Sequence, residues 1–463
     1  MTEKVYAHFI GAGGAGMSGL ALVLQRRGRT VTGSDLKESR YSKLLAREGV
    51  EIAVGHAAEN LGDPEVVVVS SAIPETNPEL AEARRRGIPV WQRAKMLAEL
   101  AEDRATVAVA GTHGKTSTSS MVATMLAGMG LDPTFLIGGE VDGFDTNAHA
   151  GAGPHYVVEA DESDGSFVHL SPDVAIITNI EADHLDHYAD LAEIQRTFAE
   201  FMQRVKPDGT LVVWAEDEPL VTAANAAGRR VVTYGASDAA QVRYTVTLRD
   251  DARTEFTVSF PDGTEQRCSC SVPGDHMVCN ATGALAAAWA LDLDPTRAAA
   301  AVSAFSGVRR RFDFVGEVAG VRIYDDYAHH PTEVKATLGA ARQVGARRTW
   351  VLFQPHRYSR TEALADEFGQ AFGDADVVVL MDVYSAGEVP IPGVTGKTIV
   401  DSVLRRDGRA RVAWLPHRAD VAEYLARNLR KGDLVFTMGA GDVTSLGAEI
   451  IRALSDMGDR PCR

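Results

Sequence analysis

The sequence predicts an α/β protein of three domains, each with a mostly parallel β-sheet covered by helices. Three observations support this fold class. The chain has 463 residues, which corresponds to roughly three domains of ~150 residues. Short apolar segments alternate with amphipathic helical segments along most of the chain, as in doubly wound sheets. The alternation starts again twice, so we predict domains of residues 1–100, 101–311 and 312–463.

The first domain begins with the strand-like segment "VYAHFIGA" and the helical segment "MSGLALVLQRRG", followed by strand-like "TVTGSD" and "VVVVSSAI". Gly11, Gly13 and Gly16 form a G-x-G-x-x-G pattern between the first strand and its helix. Asp35 ends the next strand, where an acidic residue binds a ribose hydroxyl in dinucleotide-binding domains. The pattern predicts a Rossmann-like domain. It leaves three alternatives open: a dinucleotide site, a site for another anionic nucleotide, or a purely structural turn.

The second domain begins with "VAVAGTHGKTSTSS", in which an apolar strand leads into a glycine-rich loop and a helix. Two residues separate Gly111 from Gly114, whereas the usual phosphate-binding loop has four between its glycines. The short loop still contains the functional parts, namely flexible glycines, a lysine for phosphate charge and a hydroxyl for Mg²⁺. We therefore predict a P-loop ATPase-like domain, with a chance glycine-rich turn as the alternative.

The second domain also contains the polar segment "RYTVTLRDDARTEFTVSFPDGTEQRCSCSV". Its alternating residues and its Pro-Asp-Gly turn predict a β-hairpin excursion from the central sheet. Cys268 and Cys270 occupy alternate positions of a predicted strand, and no second cysteine pair has zinc-ligand spacing. We therefore predict buried thiols there. The alanine-rich helix "NATGALAAAWALDL" closes the domain.

The third domain is predicted to be Rossmann-like, with strands at "RTWVLFQPH", "ADVVVLMDVY", "ARVAWL" and "DLVFTMGAG". Paired histidines precede these strands in "DDYAHHPTE" and suggest a metal site. No cysteine or third histidine stands nearby at ligand spacing, so we favour a loop that closes over bound ligands.

The net charge of −16 argues against nucleic acid or an anionic membrane as a partner. It is compatible with an anionic small substrate, because a site can be basic on an acidic protein. The sequence shows neither a signal-peptide pattern nor ~20 consecutive apolar residues. We expect a cytoplasmic protein that is a monomer or a weak homodimer.

Six further segments occur in a characteristic order: "AGTHGKTSTS", "VVEADESDGSF", "ITNIEADHLDHY", "FSGVRRRFD", "DDYAHHPTEV" and "QPHRYSRT". Together they resemble the motifs of the Mur ligase family, and "HFIGAGGAGMSGLA" resembles that family's UDP-sugar loop. The resemblance covers the whole chain. It implies a ligase that uses ATP and Mg²⁺ to form an amide through an acyl phosphate and a tetrahedral intermediate. It is greatest for the members that join L-alanine to UDP-N-acetylmuramate in peptidoglycan precursor synthesis.

The resemblance also implies a set of functional residues. For ATP it indicates Gly111, Thr112, His113, Gly114, Lys115, Thr116, Ser117, His276, Asn280, Arg311 and Asp326. For Mg²⁺ it indicates Thr116, Glu159 and His184. For the UDP-sugar it indicates Gly11, Gly13, Gly14, Ala15, Gly16, Met17, Ser18, Asp35, Ser70 and Ser71. For the sugar-acid carboxylate and alanine it indicates His329, His330, His356, Arg357 and Arg360. Lys115, His184 and Arg360 are the predicted catalytic residues.

The residues alone leave simpler interpretations open. The segment "EADESDGS" can be a solvated acidic loop, "GVRRRFD" a solvated turn and "QPHRYSRT" a basic surface loop, while Asn280 can be a helix N-cap. Met277 stands where the family usually has asparagine, which puts one ATP contact in doubt. The alternative functions are a recycling ligase that attaches a preformed peptide, an NAD-dependent oxidoreductase, and a non-catalytic ATP-binding protein. An NAD-dependent oxidoreductase would leave the Lys115 loop unexplained. A non-catalytic ATP-binding protein would leave the arginines and histidines of the third domain unexplained.

Overall fold

The computed structural model describes residues 4–70, 72–163, 165–185, 187–250 and 253–458. Three β-sheets of five, ten and six strands follow one another along the chain. Helices cover each sheet, which confirms the predicted three-domain α/β fold class. Among the helices in these ranges, none is long and apolar enough to cross a bilayer.

The first sheet is parallel and has the strand order β3-β2-β1-β4-β5. The central strands β1 and β4 are fully buried, as expected for apolar strands covered on both faces. The sequence prediction missed the edge strands β3 and β5, which are short and have no fully buried residue. The elements are β1 Ala7–Ile10, α1 Ala15–Arg26, β2 Val31–Asp35, α2 Arg40–Arg47, β3 Glu51–Val54, β4 Val66–Val69, α3 Pro78–Arg86, β5 Val90–Gln92 and α4 Arg93–Ala101.

The second sheet has the order β15-β14-β13-β12-β11-β10-β6-β9-β7-β8. Its elements are β6 Ala105–Ala110, α5 Lys115–Gly128, β7 Thr134–Val141, β8 Thr146–His149, β9 His155–Glu159, β10 Val174–Ile177, α6 Leu191–Arg204, β11 Thr210–Trp214, α7 Glu218–Ala226, β12 Arg230–Gly235, β13 Val242–Arg249, β14 Thr254–Ser259, β15 Glu265–Cys270, α8 Asp275–Ala290 and α9 Pro295–Val302. The predicted excursion is confirmed, since β13, β14 and β15 pair antiparallel. Cys268 and Cys270 are buried on one face of β15, also as predicted.

The third sheet has the order β16-β17-β21-β18-β19-β20. It begins with an antiparallel hairpin of β16 and β17 that the sequence prediction missed. Asp326, predicted as an ATP residue, ends the second strand of this domain. The elements are β16 Asp313–Val318, β17 Val321–Asp326, α10 Pro331–Ala341, β18 Arg348–Phe353, α11 Tyr358–Ala363, α12 Ala365–Phe368, β19 Val377–Leu380, α13 Gly396–Arg406, β20 Val412–Trp414, α14 Arg418–Asn428, β21 Asp433–Met438 and α15 Leu446–Gly458.

The domains contact one another near the ends of their central strands. Helix α1 packs on β7 and β8, where the Asn147 side-chain amide donates to the Ala15 carbonyl oxygen at 3.2 Å. The third domain contacts the second through Thr332, whose hydroxyl donates to Glu181 at 2.6 Å. Arg360 also donates to Asp183 at 2.7 Å. These contacts bring all three domains to one central cavity.

Candidate active site

The central cavity has a volume of about 1030 Å³ and takes residues from all three domains. The first domain contributes Arg40 and Tyr41, and the second contributes the GTHGKT loop and the acidic segments that follow β9 and β10. The third domain and the segment leading to it contribute a largely basic wall, formed by Arg309, Arg310, Arg311, His329, His356, Arg357 and Arg360. The cavity therefore combines a phosphate-binding type of loop with many cationic groups, which suits an anionic ligand.

The GTHGKT loop is shaped by the segment that follows β10. The amides of Thr112 and His113 donate to the Asn179 backbone and side-chain oxygens, at 3.1 and 2.9 Å. Gly111 has a φ of +132°, and a Cβ atom there would overlap the Thr178 hydroxyl. Gly114 has a φ of +81° and lies against the Asn280 side chain. The loop leads into α5, whose first amides have no intrahelical partner and form a positive anion-binding end.

Lys115 lies in this loop with its ammonium group held from two sides. It donates to the Gly111 carbonyl oxygen at 2.6 Å and to the Glu162 carboxylate at 2.8 Å. Burial lowers the pKa of Lys115, but the neighbouring Glu162 carboxylate raises it, and the net pKa lies above its ordinary value. Glu162 itself is only 2% exposed, so the interpretation of "EADESDGS" as a solvated acidic loop is wrong. The lysine is a fixed positive charge at the helix end.

The predicted Mg²⁺ ligands lie around the start of α5. The Thr116 hydroxyl donates to the Glu159 carboxylate at 3.1 Å, and the Gly138 amide donates to the other carboxylate oxygen at 2.8 Å. Burial raises the pKa of Glu159, although Lys115 opposes this shift. His184 lines the same cavity, with its Nε2 atom 3.5 Å from Glu162. The hydroxyl and carboxylate oxygens of Thr116 and Glu159 fit Mg²⁺, which prefers hard oxygen ligands.

A second cavity, of about 490 Å³, lies beside the loop and suits a nucleotide base. Predicted ATP residues lining it include Ser117, His276, Asn280, Arg311 and Asp326, together with the aromatic side chains of Trp214, Tyr234, Tyr244 and Phe312. Burial lowers the pKa of His276 to about 4, so its imidazole is neutral at pH 7. Asn280 lies within α8, so its interpretation as a helix N-cap is wrong. Met277 lines the cavity at the position where the family usually has asparagine.

Arg311 lies where the two cavities adjoin, and Asp326 lines the smaller one. Asp326 accepts hydrogen bonds from the amides of Phe312 and Ala328, at 2.8 and 2.7 Å. Burial raises its pKa to about 6. Arg311 lines both cavities and donates to Glu333 at 3.4 Å, so it is not a solvated turn residue.

His113, predicted as an ATP residue, directs its ring toward the third domain. Its Nε2 atom lies 3.5 Å from Glu181 and its Nδ1 atom lies 3.5 Å from Glu333. Burial lowers its pKa, but these two carboxylates raise it to about 9. His330 lies beside this ring, with the ring centroids 4.5 Å apart. His330 also caps α10, where its Nδ1 atom accepts from the Thr332 amide at 3.3 Å.

The remaining third-domain residues face the central cavity. Burial lowers the pKa of His329 to about 3 and that of His356 to about 4, so both imidazoles are neutral at pH 7. Their ring centroids are 5.9 Å apart. Arg357 immediately precedes α11 and lines the cavity. Arg360 is 9% exposed and donates to Asp183 through Nε and Nη2, at 3.0 and 2.7 Å. The interpretation of this segment as a basic surface loop is therefore wrong.

The first glycine-rich loop lies at the start of α1. Gly11 has a φ of +81°, Gly14 precedes the helix, and Ala15 and Gly16 form its first turn. Asp35 accepts from the Gly13 amide at 2.8 Å and so holds the loop itself. Met17 and Ser18 are buried, and the Ser18 hydroxyl donates to the Ala15 carbonyl oxygen at 2.9 Å. Ser70 follows β4, whereas Ser71 lies outside the described residues.

The structure reveals functional candidates that the sequence analysis missed. The Arg93 side chain lies against Gly16, where an added Cβ atom would be 3.0 Å from the Arg93 Nη1 atom. The Arg93 Nη2 atom is 3.6 Å from the Asp161 carboxylate. Asp183 pairs with Arg360, and Glu333 contacts His113 and Arg311. Only Glu333 gave a local signal, because "HPTE" can be read as a capping box. Asp183 and Arg93 acquire their partners from other domains, which spacing along the chain does not reveal.

Comparison with known proteins agrees with this site. Residues 6–105 match the domain described as "Mur ligase family, catalytic domain", residues 109–288 match "Mur ligase middle domain", and residues 310–441 match "Mur ligase, glutamate ligase domain". The chain belongs to the Mur ligase family. It is 48% identical over 451 residues to UDP-N-acetylmuramate–L-alanine ligase of Rubrobacter xylanophilus, covering 96% of this chain and 99% of that protein. It is 45% identical over 455 residues to the ligase of the same name from Pelobacter propionicus, covering 98% of each chain.

Solved structures of the family have the same overall fold. The UDP-N-acetylmuramate–alanine ligase of Thermotoga maritima matches with a TM-score of 0.79 and 30% identity, covering 98% of this chain and 99% of that one. A murein peptide ligase of Psychrobacter arcticus matches with a TM-score of 0.72 and 27% identity, covering 99% and 100%. Both similarities extend over the whole of this Mur ligase.

Proposed function

We propose that this Mur ligase joins L-alanine to the carboxylate of UDP-N-acetylmuramate, with conversion of ATP to ADP and phosphate. The observation that carries this proposal is one cavity lined by the GTHGKT loop of the second domain, by cationic side chains of the third domain, and by Arg40 and Tyr41 of the first. The full-length relatives with 45–48% identity named above carry this activity in their names. The same chemistry places the protein in peptidoglycan precursor synthesis.

In the proposed reaction, the sugar-acid carboxylate attacks the γ-phosphorus of ATP and forms an acyl phosphate. The free amine of alanine then attacks the acyl carbon, and the tetrahedral intermediate expels phosphate. Catalysis of this kind depends mainly on positioning and charge stabilisation. Thr116, Glu159 and His184 would hold Mg²⁺, which would neutralise charge on the phosphates.

The ATP phosphates bind at the start of α5. There the Lys115 ammonium group leaves the Glu162 carboxylate and donates hydrogen bonds to phosphate oxygens instead. Arg311 approaches the γ-phosphate from the junction of the two cavities, and the adenine occupies the smaller cavity beside His276 and Asn280. Asp326 holds the ribose. The supporting geometry is that these groups surround two adjoining cavities in an order that fits an extended nucleotide.

The UDP-sugar binds at the first loop with its diphosphate at the start of α1. Asp35 stabilises the loop through Gly13, and Arg93 supplies the cation that the loop itself lacks. The muramic carboxylate and the alanine carboxylate are bound by Arg357 and Arg360. The neutral imidazole of His329 donates from Nδ1 to the Tyr327 carbonyl oxygen, so its Nε2 atom accepts a hydrogen bond from the alanine ammonium group, with His356 beside it.

A recycling ligase that attaches a preformed peptide is the alternative within the family. The murein peptide ligase of Psychrobacter arcticus is less similar than the alanine ligase of Thermotoga maritima, with TM-scores of 0.72 and 0.79. We therefore favour alanine as the acceptor. The proposed domain limits remain residues 1–100, 101–311 and 312–463.

The proposal is tested by measuring ADP and phosphate release with purified protein. We expect release that requires UDP-N-acetylmuramate and L-alanine together, and a product whose mass equals the alanyl adduct. A tripeptide in place of alanine should give little release. Release that is faster with the tripeptide would establish the recycling activity instead, and release without either substrate would contradict ligation.

A further inference from the structure

A cluster of metal-ligating side chains lies at the boundary between the second and third domains. It consists of His113 in the GTHGKT loop, Glu181 after β10, and His330 before α10. One ligand atom from each residue lies within 4.8 Å of the corresponding atoms of the other two. The cluster shares no residue with the predicted Mg²⁺ ligands Thr116, Glu159 and His184.

The His113 ring is buried without hydrogen bonds of ordinary geometry. The residue is 8% exposed, and neither ring nitrogen has a hydrogen-bond partner among the residues that the structure describes. Its nearest polar neighbours are carboxylate oxygens of Glu181 and Glu333, each at 3.5 Å. The two carboxylates raise the pKa of His113 to about 9, so the ring is protonated at pH 7, and an ion that binds Nε2 displaces that proton.

The other two members present suitable atoms toward this ring. His330 accepts the Thr332 amide at Nδ1, so its Nε2 atom carries the ring proton and donates to the Ala182 carbonyl oxygen at 3.3 Å. An ion that binds Nε2 moves this proton to Nδ1 and ends the cap of α10. Glu181 accepts the Thr332 hydroxyl at 2.6 Å, which orients its carboxylate as outer-shell partners do in metal sites. Two imidazoles and one carboxylate form the ligand set of catalytic zinc sites, in which water or a substrate takes the fourth position.

The three ligand atoms must draw together from separations of up to 4.8 Å. Zinc–ligand bonds of ~2.0–2.1 Å separate neighbouring ligands by roughly 3.4 Å in a tetrahedral site. The His113–Glu181 pair already has a separation of 3.5 Å. Imidazole ligands favour Zn²⁺ or Co²⁺ over Mg²⁺, which prefers oxygen ligands.

We propose that His113, Glu181 and His330 form a site for Zn²⁺ or Co²⁺, distinct from the Mg²⁺ site of ATP, and that occupancy inhibits the enzyme. Two ligands come from the second domain and one from the third. A bound ion therefore ties the GTHGKT loop to the third domain and occupies His113 and His330, which the proposed ligase uses for ATP and substrate. The inhibition rests on the proposed ligase function, whereas metal binding does not.

The binding experiment uses Co²⁺ alone, added to the full-length protein without nucleotide and followed by the visible absorption of tetrahedral Co²⁺. We expect one site, with affinity at least about 100-fold lower in His113→Asn and His330→Asn, because each variant loses one of three ligands. Asparagine is a good N-cap, so His330→Asn preserves the start of α10. His184→Asn is the matched control and should bind Co²⁺ as the wild type does.

Unchanged affinity in both cluster variants, or loss of binding in His184→Asn alone, would overturn the site. Glu181→Gln provides a third variant, and far-ultraviolet circular dichroism checks that each variant is folded. Inhibition is then measured as ADP release in the presence of Zn²⁺ and excess Mg²⁺. We expect inhibition that excess Mg²⁺ does not relieve and that Glu181→Gln weakens about 100-fold. A wild type without ligase activity would contradict the proposed function and leave the Co²⁺ titration as a valid test of the site.

Discussion

The two glycine-rich loops of this protein have the same local architecture but different electrostatic surroundings. Each joins a buried strand to the N-terminus of a helix, β1 to α1 in the first domain and β6 to α5 in the second. In the first loop the Asp35 carboxylate accepts the Gly13 amide, whereas the second loop contains the buried ammonium group of Lys115. The glycines determine the backbone path, while charged side chains from other segments determine which anion each loop can hold.

A buried carboxylate supports each loop. Glu162 pairs directly with Lys115 in the second loop, so it acts on the group that meets the phosphates. Glu79 lies behind the first loop and accepts the Ser34 hydroxyl at 2.5 Å, next to Asp35. The second loop therefore carries its own cation, whereas the first depends on a cation from elsewhere. This contrast can be tested by substitutions in matched pairs.

The largest expected effect is that of Lys115→Ala. We expect ligation to fall by about 10³-fold or more, because the variant removes the fixed charge that stabilises the transferring phosphoryl group. The affinity for UDP-N-acetylmuramate, measured by calorimetry, should stay within about threefold, because the first loop has a separate anion site. Lys206→Ala is the control, since Lys206 pairs with Asp173 in the same domain. Turnover within tenfold of wild type would remove Lys115 from the site.

The next effect comes from adding one methyl group to each loop. In Gly111→Ala the new Cβ would overlap the Thr178 hydroxyl at a φ of +132°, so the loop must distort. We expect ATP affinity to fall about 100-fold, with destabilisation of ~3 kcal/mol from backbone strain. In Gly16→Ala the Cβ would meet the end of the Arg93 side chain at 3.0 Å, which can move.

For Gly16→Ala we therefore expect unchanged stability and about tenfold weaker binding of UDP-N-acetylmuramate, because Arg93 is displaced. Thermal unfolding and calorimetric titration of both variants check the pair. Equal destabilisation by the two substitutions would show that the loops differ less than the structure indicates.

The sequence allowed the two loops and the three sheets to be predicted from local patterns, and the family resemblance indicated 12 of the 29 described residues that line the central cavity. A strand, a glycine loop and a helix are adjacent along the chain, so periodicity and spacing suffice for them. The short strands β3 and β5 and the β16–β17 hairpin escaped prediction because they lack a long apolar run. The partners of Lys115, Arg360 and His113 also escaped, since Glu162, Asp183 and Glu333 reach them only after the chain has folded.

The Arg93→Met variant tests where the first loop obtains its cation. We expect about 10- to 30-fold weaker binding of UDP-N-acetylmuramate and of UDP, because the variant loses a charge-assisted hydrogen bond to phosphate. Binding of uridine, which has no phosphate, should not change, and the KM for ATP should stay the same. Arg29→Met is the control in the same domain, because Arg29 stacks on Tyr6. Equal weakening of uridine and UDP binding would assign Arg93 a purely structural role.

The smallest effect concerns the carboxylate behind the first loop and appears as a dependence of stability on pH. Burial alone would raise the pKa of Glu79, but hydrogen bonds from His8, Ser34 and Asn60 lower it to about 2. The unfolded chain binds this proton at about pH 4.3, so the ionised carboxylate stabilises the fold above that pH. The contribution is lost as the pH falls from about 4.3 toward 2, and it amounts to at most about 3 kcal/mol.

We therefore expect Glu79→Gln to be less stable than wild type at neutral pH, with a difference that shrinks as the solution is acidified. Urea unfolding of both proteins at intervals between about pH 6 and about pH 3 measures this difference. Glu82→Gln on the same helix is the control, because Glu82 pairs with Arg85 at the surface and should have little effect. Since Ser34 adjoins Asp35, Glu79→Gln should also weaken UDP-N-acetylmuramate binding a few-fold and leave ATP binding unchanged. A stability difference that is constant across the pH range would mean that Glu79 acts through packing alone, and the first loop would then lack the charged support that Glu162 gives the second.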